Sequence, residues 1–336
     1  MLLYLVLLSS FTSILADIHF TEAVLQHHSG LPTFLHNGDF KDIKPDFHMA
    51  EIVSASVTVP EEETKFPHFE LMDSLRLVGG NLPVTKPGYF SNLPQLLTLS
   101  LEDFVIKKLK SGMFEGIPSV SSVFLQNDQI EDIEDGAFGS LKFLTAIDLS
   151  SNEIEKIRPE WFLNCDGVEK LDIRHNTIVE IQDGAFKYLK NLTKLDLYSN
   201  KIVSVGENAF MGLRSLSTLV LAGNQLEDIR DDLVRGVESL DKLNLSQNRL
   251  RCLSEKFLNS LRKSINVYFI NNKQDEDCKG KLYIFTKTHP DINIQYLTED
   301  QEYERCQKNM TVNIDCNLLQ LRRYWWTHPD HSMFFG

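Results

Sequence analysis

Apolar and polar positions recur every 24 residues through the middle of the chain. Aligned units begin at Met72, Leu96, Val120, Leu144, Val168, Leu192, Leu216 and Leu240, with no insertion between them. Apolar side chains occupy the first, fourth, sixth, eleventh, nineteenth and twenty-second positions, and usually one near the fourteenth. The fourth and sixth alternate with polar residues, which is typical of a half-buried strand. One short strand cannot bury its apolar face alone, so the units are predicted to stack their strands in parallel over one shared core.

The predicted fold is therefore an α/β solenoid whose concave side is a parallel sheet. Eight full units run from Met72 to about Lys263, and a partial ninth ends at Asn272. The predicted organisation is a leader at 1–16, an N-terminal segment and cap at 17–71, repeats at 72–272, and a cysteine-bearing C-terminal cap with an aromatic tail at 273–336.

Two columns of the repeat have a structural explanation. Asparagine recurs six times at the ninth position, from Asn152 to Asn272, where backbone groups leave the strand and a stacked amide can both donate and accept. Phenylalanine recurs at the nineteenth position from Phe90 to Phe210, which predicts a stacked aromatic spine in the core rather than a cofactor box.

The units LTAIDLSSNEIEKI, LTKLDLYSNKIVSV and LDKLNLSQNRL follow the motif L-x-x-L-x-L-x-x-N. In motif and length they resemble the extracellular leucine-rich repeats, and the resemblance covers about two thirds of the chain. It implies a horseshoe that binds partners, usually proteins, through its concave face or edges. A narrower resemblance is to the secreted leucine-rich immune proteins of insects, which act with thioester proteins. It rests on a cysteine-poor N-terminal cap, a cysteine-bearing C-terminal region and a leader. The coiled coil through which dimeric members associate has no counterpart after Cys316, so the oligomeric state stays open.

The N-terminal region predicts secretion and an unusual cap. Residues 1–16, MLLYLVLLSSFTSILA, have the length of a signal-peptide core and are too short to span a bilayer. Residues 17–71 contain no cysteine, so the alternating stretch Ile52–Val59 is predicted to be the capping strand, and Asp17–Ala50 is expected to be loosely ordered.

Five cysteines divide into one and four. Cys165 occupies an apolar column, which favours a buried free thiol over an intermolecular bridge. Cys252, Cys278, Cys306 and Cys316 allow two disulfides in three pairings, and the sequence does not choose among them. The preferred pairing is Cys252–Cys278 with Cys306–Cys316, with an interleaved arrangement as the rival. The aromatic tail after Leu318 either packs as part of this cap or offers a partner surface, and the cap is favoured.

Charge and motifs exclude several classes of function. Lysine and arginine total 34 against 47 aspartates and glutamates, so the net charge of −13 argues against nucleic-acid binding and favours a basic partner. No later stretch reaches the roughly 18 apolar residues of a membrane helix. Phosphate loops, zinc spacings and nucleophile elbows are absent from the sequence, so no catalytic residue, metal or cofactor is predicted.

The outward strand positions provide the candidate binding surface. Asp148, Asp172 and Asp196 recur one strand apart, about 4.8 Å, and basic and aromatic side chains flank them. Three stacked carboxylates also suggest calcium or acid–base chemistry, but a flat ladder supplies no enclosing pocket. A frequent leucine-aspartate-leucine consensus is the plainer explanation. The predicted partner-binding residues are Asp148, Lys170, Asp172, Arg174, His175, Lys194, Asp196 and Tyr198.

Three sequons, at Asn191, Asn244 and Asn309, become candidate glycan sites if the chain is secreted. Asn244 lies between two core leucines, so a glycan there would shield the C-terminal part of the sheet face. The sequence thus predicts a secreted, non-enzymatic recognition or scaffold protein of humoral immunity that binds an immune protein, such as a thioester protein, or a microbial glycan. A structural or adhesive matrix protein and an inhibitor of an extracellular enzyme are the alternatives.

Overall fold

A computed structural model of the protein describes residues 18–26, 32–39, 47–57, 68–81 and 84–297. Contacts divide the chain into two compact units, Met1–Val168 and Glu169–Gly336. The predicted leader, Asn309, Cys306, Cys316 and the aromatic tail lie outside the described residues.

Within the described residues, the first unit contains nine strands and one 3-10 helix. In chain order they are β1 (Ile18–Gln26), β2 (Thr33–Asp39), β3 (Met49–Val57), β4 (Ser74–Asn81), β5 (Thr98–Glu102), β6 (Lys108–Leu109), β7 (Ser122–Gln126), β8 (Asp132–Ile133), β9 (Ala146–Asp148) and the 3-10 helix Pro159–Phe162. Strands β3, β4, β5, β7 and β9 pair in parallel in that order, and β6 pairs with β8 in a small second sheet.

The cap of this unit differs from the sequence prediction. The capping strand is β3, which pairs in parallel with β4 so that Ile52 faces Leu77, and Thr58 and Val59 lie outside the described residues. The expectation of a loosely ordered segment before Ala50 is wrong, because β1 and β2 continue the sheet as antiparallel strands beyond β3. The added strands satisfy the backbone groups that β3 would otherwise leave unpaired at its edge. They also bury Ala23 and Leu25 without using a disulfide.

The second unit continues the same pattern. Its strands are β10 (Lys170–Asp172), β11 (Glu180–Ile181), β12 (Lys194–Asp196), β13 (Ser204–Val205), β14 (Thr218–Val220), β15 (Lys242–Asn244), β16 (Asn266–Tyr268) and β17 (Asn293–Gln295), with helices Glu255–Ser260 and Glu276–Thr288. Strands β10, β12, β14, β15, β16 and β17 pair in parallel in that order. Strand β17 was not predicted, because the helix before it places Asn293 opposite Asn266 and so breaks the 24-residue spacing.

The aromatic column packs as the sequence predicted. The rings of Phe114 and Phe138 stack with centroids 5.7 Å apart, and those of Phe138 and Phe162 stack at 6.4 Å. In the second unit, Phe186 and Phe210 stack at 6.1 Å. All five rings are buried, so the column is part of the core.

The asparagine ladder is confirmed, and Asn200 shows its geometry. Its Nδ2 donates to the carbonyls of Ile173, Leu197 and Tyr198 at 3.0, 3.2 and 3.5 Å. Its Oδ1 accepts from the backbone N–H of Ile178 at 3.1 Å. The same bonds recur at Asn152, Asn224, Asn248 and Asn272. Each amide therefore joins two successive coils of the solenoid.

Asp128 takes the place of asparagine one coil before Asn152. Its Oδ1 accepts from the backbone N–H of Phe104 at 2.9 Å, as Oδ1 of Asn152 accepts from Asp128 at 3.0 Å. Its Oδ2 is buried and has no hydrogen-bond partner among the described residues. Burial raises the pKa of this carboxyl to about 7, and the neighbouring charges of Asp103 and Glu102 add to the increase.

The cysteines of the described region follow the prediction. Cys252 and Cys278 form a disulfide with 5.5 Å between their Cα atoms, which ties the start of the helix Glu276–Thr288 to the preceding coil. Cys165 is free and only 2% exposed. Burial raises the pKa of its thiol to about 12.

Candidate binding surface on the sheet

The predicted binding residues project from the side of the sheet opposite the core, which we call the open face. On β10, Leu171 points into the core, whereas Lys170 and Asp172 point to the open face, because successive strand side chains alternate. In the second unit, Lys170 pairs in register with Lys194, and Asp172 with Asp196. Asp148 occupies the corresponding position at the end of β9 in the first unit.

The three aspartates, which are among the predicted partner-binding residues, are buried. Asp148 and Asp172 are fully buried, and Asp196 is 8% exposed. Each aspartate accepts a hydrogen bond from the backbone N–H of the residue two positions later, just after the strand ends. The bonds are Ser150 to Asp148 at 2.8 Å, Arg174 to Asp172 at 3.0 Å, and Tyr198 to Asp196 at 2.8 Å. Such local bonds are typical of aspartate at the end of a strand.

Side chains also contact Asp148 and Asp172. Asp172 forms an ion pair with Nε of Arg174 at 3.2 Å, and Arg174 itself is only 15% exposed. Asp148 accepts from Nε2 of Gln126 on the neighbouring strand. The carboxylates therefore hold the backbone and their neighbours, and other side chains of this face are the ones a partner could reach.

Tyr198 and His175 form a fixed aromatic corner beside the buried carboxylates. Their rings meet edge to face, with centroids 5.3 Å apart and planes at 88°. The Tyr198 ring also lies against Gly223, where a Cβ atom would come within 3.0 Å of it. Because Gly223 has φ +68° and no side chain, the ring can rest on the next coil. His175 is exposed and Tyr198 half-buried, so the corner is accessible.

Two further residues of the second unit belong to this surface and were not among the predicted binding residues. Lys242 stands in the column of Lys170 and Lys194, and its Nζ lies 5.2 Å from the ring centre of Tyr268. Tyr268 follows Val220 and Asn244 in the column of the aspartates. Both residues could have been identified from the sequence, because they occupy the same positions of the 24-residue unit as Lys170 and Asp172.

The two sequons within the described residues differ in accessibility. Asn191 is exposed in the turn before β12. Asn244 is half-buried on the open face, and its Oδ1 accepts from the backbone N–H of Ser246 at 3.1 Å, as the aspartates do in their coils. Glycosylation at either asparagine stays a prediction.

The open face of the first unit has a different character. Arg76 on β4 forms ion pairs with Glu51 on β3 and Glu102 on β5, so one cation bridges two carboxylates across three strands. Phe124 on β7 is half-buried and shares the register column of Arg76, with Ser100 between them. The charges of this part of the sheet are largely satisfied within the unit.

Outside the sheet, the second unit contains a charged cleft of about 790 Å³. Two of its cations meet carboxylates of the same cleft: Arg230 lies 3.0 Å from Asp232, and Lys256 lies 3.4 Å from Asp231. Within the described ranges, no cluster of three or more histidine, cysteine, aspartate or glutamate side chains could hold a metal ion. The helices described here are too short and too polar to cross a bilayer.

Comparison with known families agrees with the repeat register. A family model described as Leucine rich repeat matches residues 71–130, 118–178, 166–226 and 214–264, which together span more than half of the 336 residues. The matched region begins next to Met72, where the first 24-residue unit starts. A search of curated proteins returned no match to the chain.

Proposed function

Because the chain belongs to the leucine-rich-repeat family, whose solenoids typically serve as non-enzymatic scaffolds for protein interaction, we propose that it is a secreted recognition protein that binds its partner on the open face. The observation that carries this proposal is the group of accessible side chains on the second unit, Lys170, Lys194, His175 and Tyr198. Lys170 and Lys194 stand on β10 and β12, and His175 and Tyr198 lie just after these strands, where buried carboxylates hold the backbone. A surface held in this way loses little conformational entropy when it binds.

Secretion is supported by independent features of the chain. The apolar residues 1–16 have the length of a signal-peptide core, and the Cys252–Cys278 disulfide suits an oxidising compartment. Three sequons provide acceptors for glycans along the same route. Amino-terminal sequencing of the protein secreted by a eukaryotic host should give a mature chain that begins near Asp17.

A role in humoral immunity is the finer part of the proposal. It is supported by the likeness to insect secreted immune proteins, which combine a cysteine-poor N-terminal cap with a cysteine-bearing C-terminal region. The cap built from β1, β2 and β3 without a cysteine is consistent with that arrangement. The partner would be an extracellular immune protein, such as a thioester protein, or a microbial glycan. Adhesion within a matrix and inhibition of an extracellular enzyme would use the same surface and differ in the partner.

The experiment is an affinity capture from extracellular fluid with the secreted full chain and two variants. Tyr198→Ala removes the aromatic corner of the open face, and its side chain is not part of the core. Tyr283→Ala removes an exposed tyrosine from the helix Glu276–Thr288, away from this surface, and serves as the matched control. Recovery of a specific partner with wild type and Tyr283→Ala, but at about tenfold lower yield with Tyr198→Ala, is the expected result.

The identity of the captured molecule separates the three roles. An immune protein or microbial glycan supports recognition, matrix proteins support adhesion, and a hydrolase whose activity falls on binding supports inhibition. Equal recovery by all three forms of the protein would contradict binding through the open face.

A further inference from the structure

The helix Glu276–Thr288, which we call the cap helix, presents one continuous stripe of side chains away from the core. Three residues at helical spacing mark its buried side, namely Cys278, Leu282 and Phe285. The opposite side, which we call the outer face, consists of Asp277, Gly280, Ile284 and Lys287, all of them exposed. These four residues follow one another at intervals of three and four, so they lie on one side of the helix.

The outer face combines a protruding apolar side chain with a gap one turn away. Ile284 is 64% exposed, more than any other large apolar side chain of the second unit within the described residues. A Cβ atom at Gly280 would lie within 4 Å of no other part of the described chain. The backbone there is α-helical, so no left-handed conformation requires glycine.

A glycine in the middle of an exposed helix lowers its stability relative to alanine, and Gly280 has no packing reason within the described residues. Close approach by another molecule supplies such a reason, because only glycine leaves room for a foreign side chain against the helix backbone. The gap at Gly280 and the exposed Ile284 therefore have the shapes of a hole and a knob.

The charges of the outer face are arranged in the same complementary way. Asp277 lies in the first turn of the cap helix and Lys287 in the last. Both lie five positions from Leu282, and Gly280 and Ile284 both lie two positions from it. A twofold axis at the level of Leu282 therefore places lysine opposite aspartate and isoleucine opposite glycine in one operation.

From these positions we infer that the outer face is a self-association surface, on which a second copy of this chain packs its own cap helix in the antiparallel direction. Ile284 of each copy fills the gap at Gly280 of the other, and Asp277 of each copy meets Lys287 of the other. Such a contact uses the same patch on both molecules, as closed dimers do. The inference goes beyond the proposed function and does not depend on it.

A second copy satisfies every feature of the outer face, because hole and knob, and acid and cation, all belong to one helix. Antiparallel packing also brings the positive end of each helix dipole to the negative end of the other. The cap helix carries two acidic residues and three lysines, so it is nearly neutral although the whole chain has a net charge of −13. Repulsion between the two chains is screened over about 8 Å at physiological salt.

The cap helix is held firmly enough to act as a docking element. Its start is tied to the preceding coil by the Cys252–Cys278 disulfide, and the side chain of Asp275 accepts from the backbone N–H of Cys278 at 2.8 Å. The helix has 13 residues and is therefore about 20 Å long. A contact of this size belongs to the small, weak interfaces, so the expected dissociation constant is on the order of 10 µM.

The test is sedimentation velocity of the secreted full chain between about 1 and 300 µM, a range that brackets the expected dissociation constant. Gly280→Gln should weaken the dimer by about tenfold or more, because its side chain occupies the gap. The same change should keep or raise the melting temperature, since glutamine favours helix and nothing blocks it. Ile284→Ala should weaken the dimer about tenfold. Val203→Ala removes a 50% exposed apolar side chain from an earlier coil and should leave the dimer unchanged.

Two charge variants test the pairing across the twofold axis. Asp277→Lys places lysine beside lysine in the dimer, and Lys287→Asp places aspartate beside aspartate, so each protein alone should sediment as a monomer. An equimolar mixture of the two should dimerise again, because every contact then joins a lysine to an aspartate. Lys201→Asp makes the same charge change as Lys287→Asp at an exposed position off the cap helix and should dimerise as wild type does. Thermal melting checks that each variant is folded.

Several results would overturn the inference: a wild-type protein that is monomeric at 300 µM (about thirty times the expected dissociation constant), a dimer that Gly280→Gln leaves intact, or a mixture that associates no better than its components. Non-reducing electrophoresis identifies a disulfide-linked dimer, and one that forms equally in all variants would also count against the cap helix. Capture of a binding partner by the open face uses different residues, so either proposal can fail while the other holds.

Discussion

Replacing Asp128 with asparagine is expected to stabilise the protein, and by more as the pH rises. Asp128 stands where the later coils have a ladder asparagine, and its Oδ1 accepts from Phe104 as theirs do from the preceding coil. Its Oδ2 therefore occupies the place of Nδ2, which in Asn152 donates to three carbonyls at 2.7, 3.0 and 3.2 Å. A carboxylate there faces acceptors that it cannot satisfy unless it carries a proton.

The magnitude follows from the two pKa values. In the unfolded chain the carboxyl titrates near 3.8, and in the folded protein burial raises its pKa to about 7. The folded state thus holds the proton more tightly, so this group contributes full stability below the unfolded value and loses it as the pH rises to about 7. A difference of about 3 pH units corresponds to roughly 4 kcal/mol of unfolding free energy.

The assay is urea unfolding of wild type and Asp128→Asn at several pH values between about 4 and 8. Subtracting the two unfolding free energies at each pH cancels the other titrating groups. The difference should be small near pH 4 and grow to a few kcal/mol in favour of the variant by pH 8. The reciprocal variant, Asn152→Asp, should show the opposite behaviour, with a loss at pH 8 that is partly recovered near pH 5.

Parallel stability curves for wild type and Asp128→Asn would refute this reasoning, because they would mean that Asp128 has the same proton affinity in both states. Destabilisation by Asp128→Asn at every pH would refute the equivalence with Asn152. Asp103→Asn, which removes a nearby charge, should lower the folded pKa of Asp128 and shift the pH-dependent loss to lower pH.

Three further predictions concern the ladder and the cysteines. Asn200→Ala should cost about 2–4 kcal/mol in urea unfolding, because it removes three donated bonds and leaves the Ile178 N–H unpaired, whereas the exposed Asn208→Ala should cost under about 1 kcal/mol. Cys165 should resist iodoacetamide at pH 8 in the native protein and react only after denaturation, since its pKa of about 12 keeps the thiol protonated; rapid native labelling would contradict its burial. Reduction of the Cys252–Cys278 disulfide, which spans 26 residues, should lower the free energy of unfolding by about 3 kcal/mol, and an unchanged midpoint in dithiothreitol would show that the bond does not constrain the unfolded chain.

The repeating part of the fold could be predicted from the sequence because each coil repeats the same pattern of buried and polar residues. Every 24 residues the chain repeats a strand with two buried apolar side chains, an asparagine after the strand and a phenylalanine on the opposite side of the coil. Parallel stacking of the coils buries the apolar side chains and lets each asparagine bond to the neighbouring coil. The structure confirms this register in every pair from β4 to β16 that is described here. The burial of Cys165 follows from the same columns, whereas the Cys252–Cys278 disulfide was the preferred one among three pairings that the sequence left open.

The two ends of the repeat array were less predictable. At the N-terminal end, β1 and β2 pair antiparallel and lack the 24-residue period, so the repeat pattern gives no sign of them. At the other end, the 13-residue helix Glu276–Thr288 lengthens the last connection and moves β17 out of register with the earlier units. A terminal coil has no further repeat to cover its core face, so the ends of repeat proteins carry capping elements that do not follow the repeat pattern.

The sequence by itself determined the period, the strand positions, the inward leucines and the asparagine and phenylalanine columns, because each depends on residue type and spacing alone. It also placed Lys170, Asp172 and Tyr198 on one face of the sheet. Only the tertiary structure decided which of these side chains a partner can reach. The depth of a side chain depends on its neighbours in adjacent coils: Arg174 and a backbone N–H enclose Asp172, Gly223 makes room for the Tyr198 ring, and the lysines remain at the surface. The aspartates of this face are therefore buried, whereas Lys170, Lys194 and Tyr198 stay accessible to solvent.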